Sequence, residues 1–449
     1  MSKQRIQLSD HFTYSRLLRF VLPCIGTMLF TSIYGIVDGL CVSNFVGKTA
    51  FAAVNLIMPL PMLLGTIGFM LGTGGSAIVG ITLGEGDQKK ADRYFTLFLL
   101  AALISVSVLA VLGIVFLRPI AVLLGAKGEL LDYAVRYGRI LMVSLPTFAL
   151  QNMFQSFFVT AEKPHLGFWF TVGAGCTNMV LDVLMVGVWG WSVEGAAIAT
   201  FISQLVGGVL PVFYFIDRSN SSRLHLCQTK VYGGVLRDAC INGSSELMTN
   251  LSMSLVNILY NYQLLRLAGE NGVAAYGVIM YAAFLFVAVF VGYAVGSAPI
   301  VSFHYGARNH AEVHNLYRKS LRLIAVVAVT LTLASMFIIP CVARVFVGYD
   351  AELLALTSRA FRLYALSFLI MGFNVYASSF FTALGDGVTS ALISFLRTLA
   401  FQVIAILLLP MLLGIDGIWL AVTAAELAAL AVSAAMLLTK DKVFHYRKV

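Results

Sequence analysis

Charged residues are scarce in this sequence. Of its 449 residues, 11% are Asp, Glu, Lys or Arg, whereas 59% are hydrophobic, and the mean hydropathy is +0.89. Soluble domains carry roughly 25% charged residues, and a soluble chain of this length could not bury so much apolar surface. The composition therefore excludes a soluble globular protein and requires lipid as part of the solvent.

Patterns typical of metal sites, enzymes and nucleotide binding are missing as well. The six cysteines show neither C-x-x-C nor zinc-ligand spacing, so we expect no structural metal and no disulfide framework. No H-E-x-x-H or G-x-S-x-G is present, and we expect no enzymatic activity. Gly47-Lys48-Thr49 matches the end of a P-loop, but Val42 stands where its leading glycine belongs, which argues against a nucleotide-driven transporter.

Long apolar stretches dominate what is present. Each transmembrane helix needs about 20 apolar residues, and twelve stretches meet that requirement: about 15–43, 51–83, 94–117, 130–159, 165–189, 193–216, 239–267, 273–305, 316–339, 352–381, 388–413 and 416–438. The sequence therefore predicts an all-α polytopic membrane protein with twelve transmembrane helices.

The distribution of basic residues predicts the orientation. With the N-terminus placed in the cytoplasm, 20 of the 30 Lys and Arg residues fall on the cytoplasmic side, as the positive-inside rule requires. We expect both termini to be cytoplasmic and the protein to be multi-pass in the cytoplasmic membrane. Because topology accounts for most of the net charge of +9, we expect no nucleic-acid partner.

The two halves of the chain repeat each other at an offset of 222 residues. Polar and glycine positions share this ungapped register, including Gly84 with Gly306 and Asn152 with Asn374. Six helices return the chain to its starting side, so the copies are parallel and related by a pseudo-two-fold axis along the membrane normal, with a cleft between them. We expect an N-terminal lobe at 1–216, a linker at 217–238 and a C-terminal lobe at 239–449.

Intramembrane acidic residues break this repeat. Tyr260 and Ile404 stand at the second-half positions of Asp38 and Asp182. At 1.5 Å per residue, both aspartates lie in the outer half of the first lobe. The same depth is predicted for a set of polar side chains that could join them: Tyr34, Tyr137, Asn178 and Thr200.

Buried carboxylates of this kind are typical of ion coupling. An ionised carboxylate at membrane depth costs at least about 2.5–3.5 kcal/mol, and two close carboxylates repel each other. A proton or a monovalent cation held by hard oxygen ligands relieves both costs. The alternative is that each aspartate is a satisfied contact between helices.

These residues resemble the MATE (multidrug and toxic compound extrusion) family, in the branch of the DinF-type and MepA-like transporters. The segments that carry the resemblance are 32–38 (SIYGIVD), 53–56 with Pro59, 83–87 with Ala91, Asn178 with 181–182, 193–197 and 416–419. The resemblance covers nearly the whole chain. It implies two six-helix lobes around a V-shaped cleft, and export driven by entry of Na⁺ or H⁺.

The resemblance also assigns roles to single residues. It places Asp38, Asn178, Asp182 and Thr200 at the family's first-lobe cation or proton site, with Tyr34 and Tyr137 in its hydrogen-bond network. Pro23 matches a helix 1 proline and is equally explained by a passive kink. In the second lobe Glu246, Arg397 and Glu426 differ from the acidic positions used by another branch, and a structural ion pair between Arg397 and Glu426 is the favoured interpretation.

Substrate contacts are less sharply indicated. Asn152, Gln155 and Asn374 are polar residues in apolar surroundings and are candidates for the cleft. An acidic, aromatic lobe would favour lipophilic cations. We expect a monomer that contacts membrane lipid and a small-molecule substrate, without a cofactor beyond the coupling ion. The main alternative is a flippase for lipid-linked oligosaccharides, but such proteins often carry basic cleft residues, and Arg397 is the only deep cation in the sequence.

Overall fold

The computed structural model describes residues 6–45, 48–348 and 350–446, and within these ranges all of the regular secondary structure is helical. The helices are α1 (Tyr14–Phe45), α2 (Lys48–Ile57), α3 (Pro59–Gly84), α4 (Gln88–Leu123), α5 (Gly128–Thr160), α6 (Pro164–Asp182), α7 (Ser192–Gly208), α8 (Leu210–Ile216), α9 (Gly233–Gly306), α10 (His310–Val347), α11 (Ala351–Ala365), α12 (Phe368–Ala383), α13 (Gly387–Phe395), α14 (Phe401–Leu413), α15 (Ile415–Thr439) and α16 (Asp441–Phe444). Two stretches, Val183–Val188 and Leu396–Ala400, are π-helical and continue α6 and α13.

The predicted fold class is confirmed. In the described ranges nine helices are individually long and apolar enough to cross a membrane, and the pair α11 and α12, bent by 46°, forms a tenth span. The 74-residue α9 counts once there, although Gly269, at φ 62°, divides it into two arms. The 33-residue α5, which carries Arg136 and Arg139, is the remaining span. Twelve crossings result.

The caps of α4 and α10 show the repeat at the level of single side chains. Asp87 accepts a hydrogen bond from the amide of Lys90, and Asn309 does the same for Glu312. These cap pairs occupy equivalent positions in the 222-residue register, and each satisfies a free amide of a first helical turn. From α6 onward the offset between the two halves is 223 residues instead of 222, since α6 begins at residue 164 and its counterpart α13 begins at residue 387.

Reciprocal backbone contacts join the two halves. A Cβ on Gly84 would lie 2.0 Å from the carbonyl oxygen of Phe303, and a Cβ on Gly306 would lie 2.1 Å from that of Ile81. Residues 81 and 303 are themselves equivalent in the repeat, so one contact generates the other by the pseudo-two-fold axis. Only glycine permits such an approach between α3 and the end of α9.

One face of the bundle carries both ends of the described chain, and we call it the terminal face (residues 6–13, 84–88, 160–164, 217–232, 306–310, 384–387 and 440–446). Residues 6–13 cross between the halves there. The amide of Leu8 donates to Glu162 at 3.0 Å, and the amide of Phe12 donates to Glu312 at 2.9 Å. The interlobe glycine contacts at Gly84 and Gly306 lie beside this face, so the lobes are closed at it.

The limits of the two lobes stay a prediction. Helix α9 begins at Gly233, inside the stretch 217–238 that was expected to be a linker. Five residues used in the sequence arguments lie outside the described ranges: Lys3, Arg5, Gly47, Arg447 and Lys448.

Candidate functional site

The structure brings Asp38 and Asp182 together. Asp38 lies in the last part of α1, and Asp182 is the final residue of α6. Their carboxyl groups lie within hydrogen-bonding reach of each other. Asp182 is fully buried, whereas Asp38 is partly exposed. Two helices that are distant in sequence therefore place two acidic groups at one point.

These carboxyl groups lack conventional partners. Among the described residues, both carboxylate oxygens of Asp182 and Oδ1 of Asp38 are buried without a hydrogen-bond donor. A buried polar atom without a partner costs about 1–3 kcal/mol, and more when it is charged. Three such oxygens at one point fit a bound proton or a small hard cation, for which carboxylate oxygens are suitable ligands.

Two tyrosines border the aspartates. Tyr137 is 1% exposed and lies near both carboxyl groups, although its hydroxyl contacts the Sδ of Met58 at 3.7 Å. Tyr34, one turn before Asp38 on α1, lies near Asp38 alone.

The remaining first-lobe candidates divide between the site and other locations. Asn178, one turn before Asp182, is 2% exposed, and its Nδ2 also lacks a partner. Thr200 donates instead to the carbonyl of Ala196 in its own helix at 3.0 Å. Pro23 is buried in α1, 15 residues from Asp38 or about 22 Å along the helix. It lies beside the contact between α1 and α9 and not at the carboxyl pair.

A second buried polar group lies in the other lobe. Arg397 and Glu426 form an ion pair at 3.7 Å, and both are largely buried. Asn374 donates to Glu426 Oε2 at 2.7 Å and accepts from Ser433 at 2.9 Å. Glu246 lies close enough to Arg397 to interact electrostatically. One arginine thus stands between two glutamates, and Asn374 belongs to this network.

The other two cleft candidates lie on α5. Asn152 is 5% exposed, and its Nδ2 has no partner among the described residues, while its backbone packs against Gly72 of α3. Gln155 is partly exposed. Their role in binding a substrate stays a prediction.

Two features of the site were not predicted. The π-helical stretch Val183–Val188 begins immediately after Asp182, and Leu396–Ala400 contains Arg397. Segments of this kind occur frequently at functional sites, because the extra residue reorients the side chains beside it.

The second feature that was not predicted is a chain of hydrogen-bonded hydroxyl groups in the second lobe, formed by Ser378, Ser390, Ser394 and Thr382. Serine and threonine at helical spacing were the only available sequence signal.

Comparison with known proteins gives a consistent result. The sequence model of the MatE family matches residues 23–184 and 247–408, once in each half. The chain is 21% identical to the multidrug export protein MepA of Staphylococcus saprophyticus over 436 residues, covering 96% of this chain and 95% of that protein. It is 22% identical to MepA of a Staphylococcus aureus strain over 433 residues, with the same coverage.

Solved structures agree in fold. A crystal structure described as MATE in complex with MaL6 matches with a TM-score of 0.93 at 22% identity, covering 99% of this chain and all of that one. An outward-facing multidrug resistance MATE transporter matches with a TM-score of 0.92, covering 99% of each chain. These similarities cover both lobes and the cleft between them.

Proposed function

The chain belongs to the MatE family, and from this premise we propose that it is a secondary active antiporter that exports small organic compounds in exchange for Na⁺ or H⁺. The observation that supports the proposal is the carboxyl pair of Asp38 and Asp182, buried between helices with three oxygens left without donors. The similarity of the whole chain to MepA, a multidrug export protein, supports the proposal that it exports a broad range of substrates.

Coupling follows from the charge of this pair. When both carboxylates are ionised, repulsion at short distance drives α1 and α6 apart or draws in a cation. A proton or Na⁺ between them removes the repulsion and permits close packing. Occupancy therefore changes the relative free energies of two packings of the first lobe, which is what a coupling ion must do.

We place the terminal face in the cytoplasm. The basic excess predicted from the sequence collects at this face, in agreement with the positive-inside rule. The protein then lies multi-pass in the cytoplasmic membrane, and the structure corresponds to a form closed towards the cytoplasm. The coupling pair lies in the half that faces outwards, where the entering ion arrives.

We expect lipophilic cations to be preferred substrates. Asp38 and Asp182 make no ion pair with a basic residue in the ranges that the structure describes, and Tyr34 and Tyr137 border them. Negative charge and aromatic faces attract organic cations. Export of a cationic dye should therefore exceed export of a neutral dye of similar size, and equal rates would contradict this preference.

The alternative function, a flippase for lipid-linked oligosaccharides, would depend on a basic residue that is already paired. Arg397, the deep cation that a pyrophosphate would require, is engaged by Glu426 at 3.7 Å. Binding of a lipid-linked sugar precursor with an affinity that depends on Arg397 would favour the flippase instead.

The decisive experiment is transport in proteoliposomes with imposed Na⁺ or pH gradients. Wild type should export a lipophilic cation faster under one of these gradients. Asp38→Asn and Asp182→Asn should abolish the stimulation, because an amide carries neither a negative charge nor a proton to exchange at this pH. Asp132→Asn, on an exposed position of α5, is the matched control and should retain it. Full stimulation in the double Asn variant would refute the proposed site.

A further inference from the structure

A pocket of about 500 Å³ opens on the terminal face, between the start of α4 and the segment that follows α8. Lys89, Arg93 and Arg218 line it together with His225. None of the three cationic side chains makes an ion pair within the part of the chain that the structure describes. Apart from the electrostatic interaction of Arg218 with Asp92, their charge is therefore available to a ligand.

The acidic residue of this pocket does not neutralise it. Asp92 also lines the wall, but its Oδ1 accepts from the amide of His225 at 3.1 Å and from Gln88 Nε2 at 3.2 Å. Its main role is thus to fasten the segment after α8 to α4. Two further bonds hold the same wall: Thr229 donates to the carbonyl of Arg93 at 2.8 Å, and Thr96 accepts from the amide of Cys227 at 3.1 Å.

The equivalent face of the second lobe lacks these charges. In the 222-residue register Ala311 and Asn315 replace Lys89 and Arg93. Lys440, a cation on the same face of the second lobe, is held by Asp386 at 2.9 Å. Orientation in the membrane does not by itself require a basic pocket on each lobe, so the pocket of the first lobe needs a separate explanation.

The pocket lies directly above a surface of α4 that faces lipid. Eleven residues make almost a whole number of helical turns, so Leu100 lies below Lys89 and Ile104 lies below Arg93 on one face of the helix. Leu100 is 41% exposed and Ile104 is 63% exposed, and the same face continues to Val115. A ligand that combined a phosphate with hydrocarbon chains would match both parts of this surface.

We propose that the pocket binds the phosphodiester headgroup of an anionic phospholipid from the leaflet at the terminal face, with the acyl chains lying along α4. Basic pockets at the cytoplasmic ends of transmembrane helices suit such headgroups. The site is separate from the carboxyl pair, and the inference holds whether or not that pair couples transport.

Native mass spectrometry of the purified full chain tests this proposal. The protein is incubated with equal amounts of phosphatidylglycerol and phosphatidylcholine, and the retained lipids are counted. Wild type should retain phosphatidylglycerol preferentially. Arg93→Gln with Arg218→Gln should weaken that retention about 30-fold, at roughly fivefold for each cationic contact. The bond from Thr229 to the Arg93 carbonyl is unaffected, so the wall should stay in place.

The control removes the same charge from the other lobe. Arg318→Gln with Lys442→Gln changes one exposed residue of the terminal face and one exposed residue of α10 near that face, and it should leave retention unchanged. Equal losses in both double variants, or no preference for phosphatidylglycerol in wild type, would overturn the proposal. Displacement of the lipid by glycerol phosphate at matched concentration would assign the pocket to a soluble phosphate instead and would also overturn it.

Discussion

Replacing Gly243 with alanine should open the lobes at the terminal face. Gly243 lies in the first arm of α9, and a Cβ there would lie 1.9 Å from the carbonyl oxygen of Met70 on α3. An ordinary contact between these atoms needs about 3.2 Å or more, so α9 and α3 must separate by more than about 1 Å. Packing of this density does not absorb such a displacement locally.

The free energy of this clash sets the size of the effect. Adding a methyl group to a tightly packed contact typically costs about 1–3 kcal/mol. The gain in helix propensity from Gly to Ala, about 1 kcal/mol, is present in every packing of the lobes and cancels. The equilibrium between the closed and open forms should therefore shift towards the open form by about 5- to 150-fold.

Distances between two spin labels, measured by double electron–electron resonance, test this shift. Labels at Glu85, on the terminal face, and at Ala311, in the first turn of α10 beside it, are both exposed and report the separation of the lobes in a background without other cysteines. Gly243→Ala should add a population at longer distance. Gly277→Ala is the matched control, because it lies on the same helix and its Cβ would meet nothing within 4 Å. Identical distance distributions in wild type and Gly243→Ala would refute the assignment of this contact as the closure.

Three further predictions follow from buried or capping charges. Arg397→Met should lower the melting temperature strongly, since an unpaired buried Glu426 costs about 3 kcal/mol or more, and adding Glu426→Met should restore most of the loss; an additive loss would contradict the pairing. Asp386→Ala should cost about 1 kcal/mol because it removes the cap of α13. Burial raises the pKa of Asp386, but hydrogen bonds from Lys440 and Thr389 outweigh it and hold that pKa below its ordinary value. The contribution of Asp386 should thus be complete above about pH 4 and fade as the pH falls below that. A stability difference between wild type and Asp386→Ala that grows in acid would have the wrong sign. Glu312→Ala should speed hydrogen exchange of the Phe12 amide, because it removes the oxygen to which that amide donates, and unchanged exchange would exclude that bond as the tether.

The helices and their pairing were predictable because hydropathy and the repeat record them directly. Apolar length fixes a span, and a shared register fixes the symmetry, as the matching caps at Asp87 and Asn309 confirm. The division of α9 at Gly269 and the π-helical stretches were not predictable, since both depend on how neighbouring helices pack. The tether of residues 6–13 was missed because polar segments carry no periodic signal.

The sequence predicted the membrane depth of the candidate site better than it predicted which side chains face each other there. Counting residues along α1 and α6 places Asp38 and Asp182 at similar depth, and the structure brings them together. Depth alone also favoured Thr200, whose hydroxyl is bonded within its own helix. The rotation of each helix about its axis decides which residues meet, and that rotation is set by the packing of the whole lobe.

The difference between the lobes explains why a mobile ion would be needed in only one of them. The second lobe places Arg397 beside its buried carboxylates. The equivalent positions in the first lobe are Ala174, which is buried, and Gly175, where a Cβ would lie 2.5 Å from the ring of Phe30 and 3.0 Å from that of Tyr34. Because α6 packs against aromatic rings at this point, a basic side chain at Gly175 would not fit. In the proposed antiport, the carboxyl pair of the first lobe takes its counter-charge from a proton or cation in solution, whereas the buried glutamates of the second lobe have Arg397 beside them.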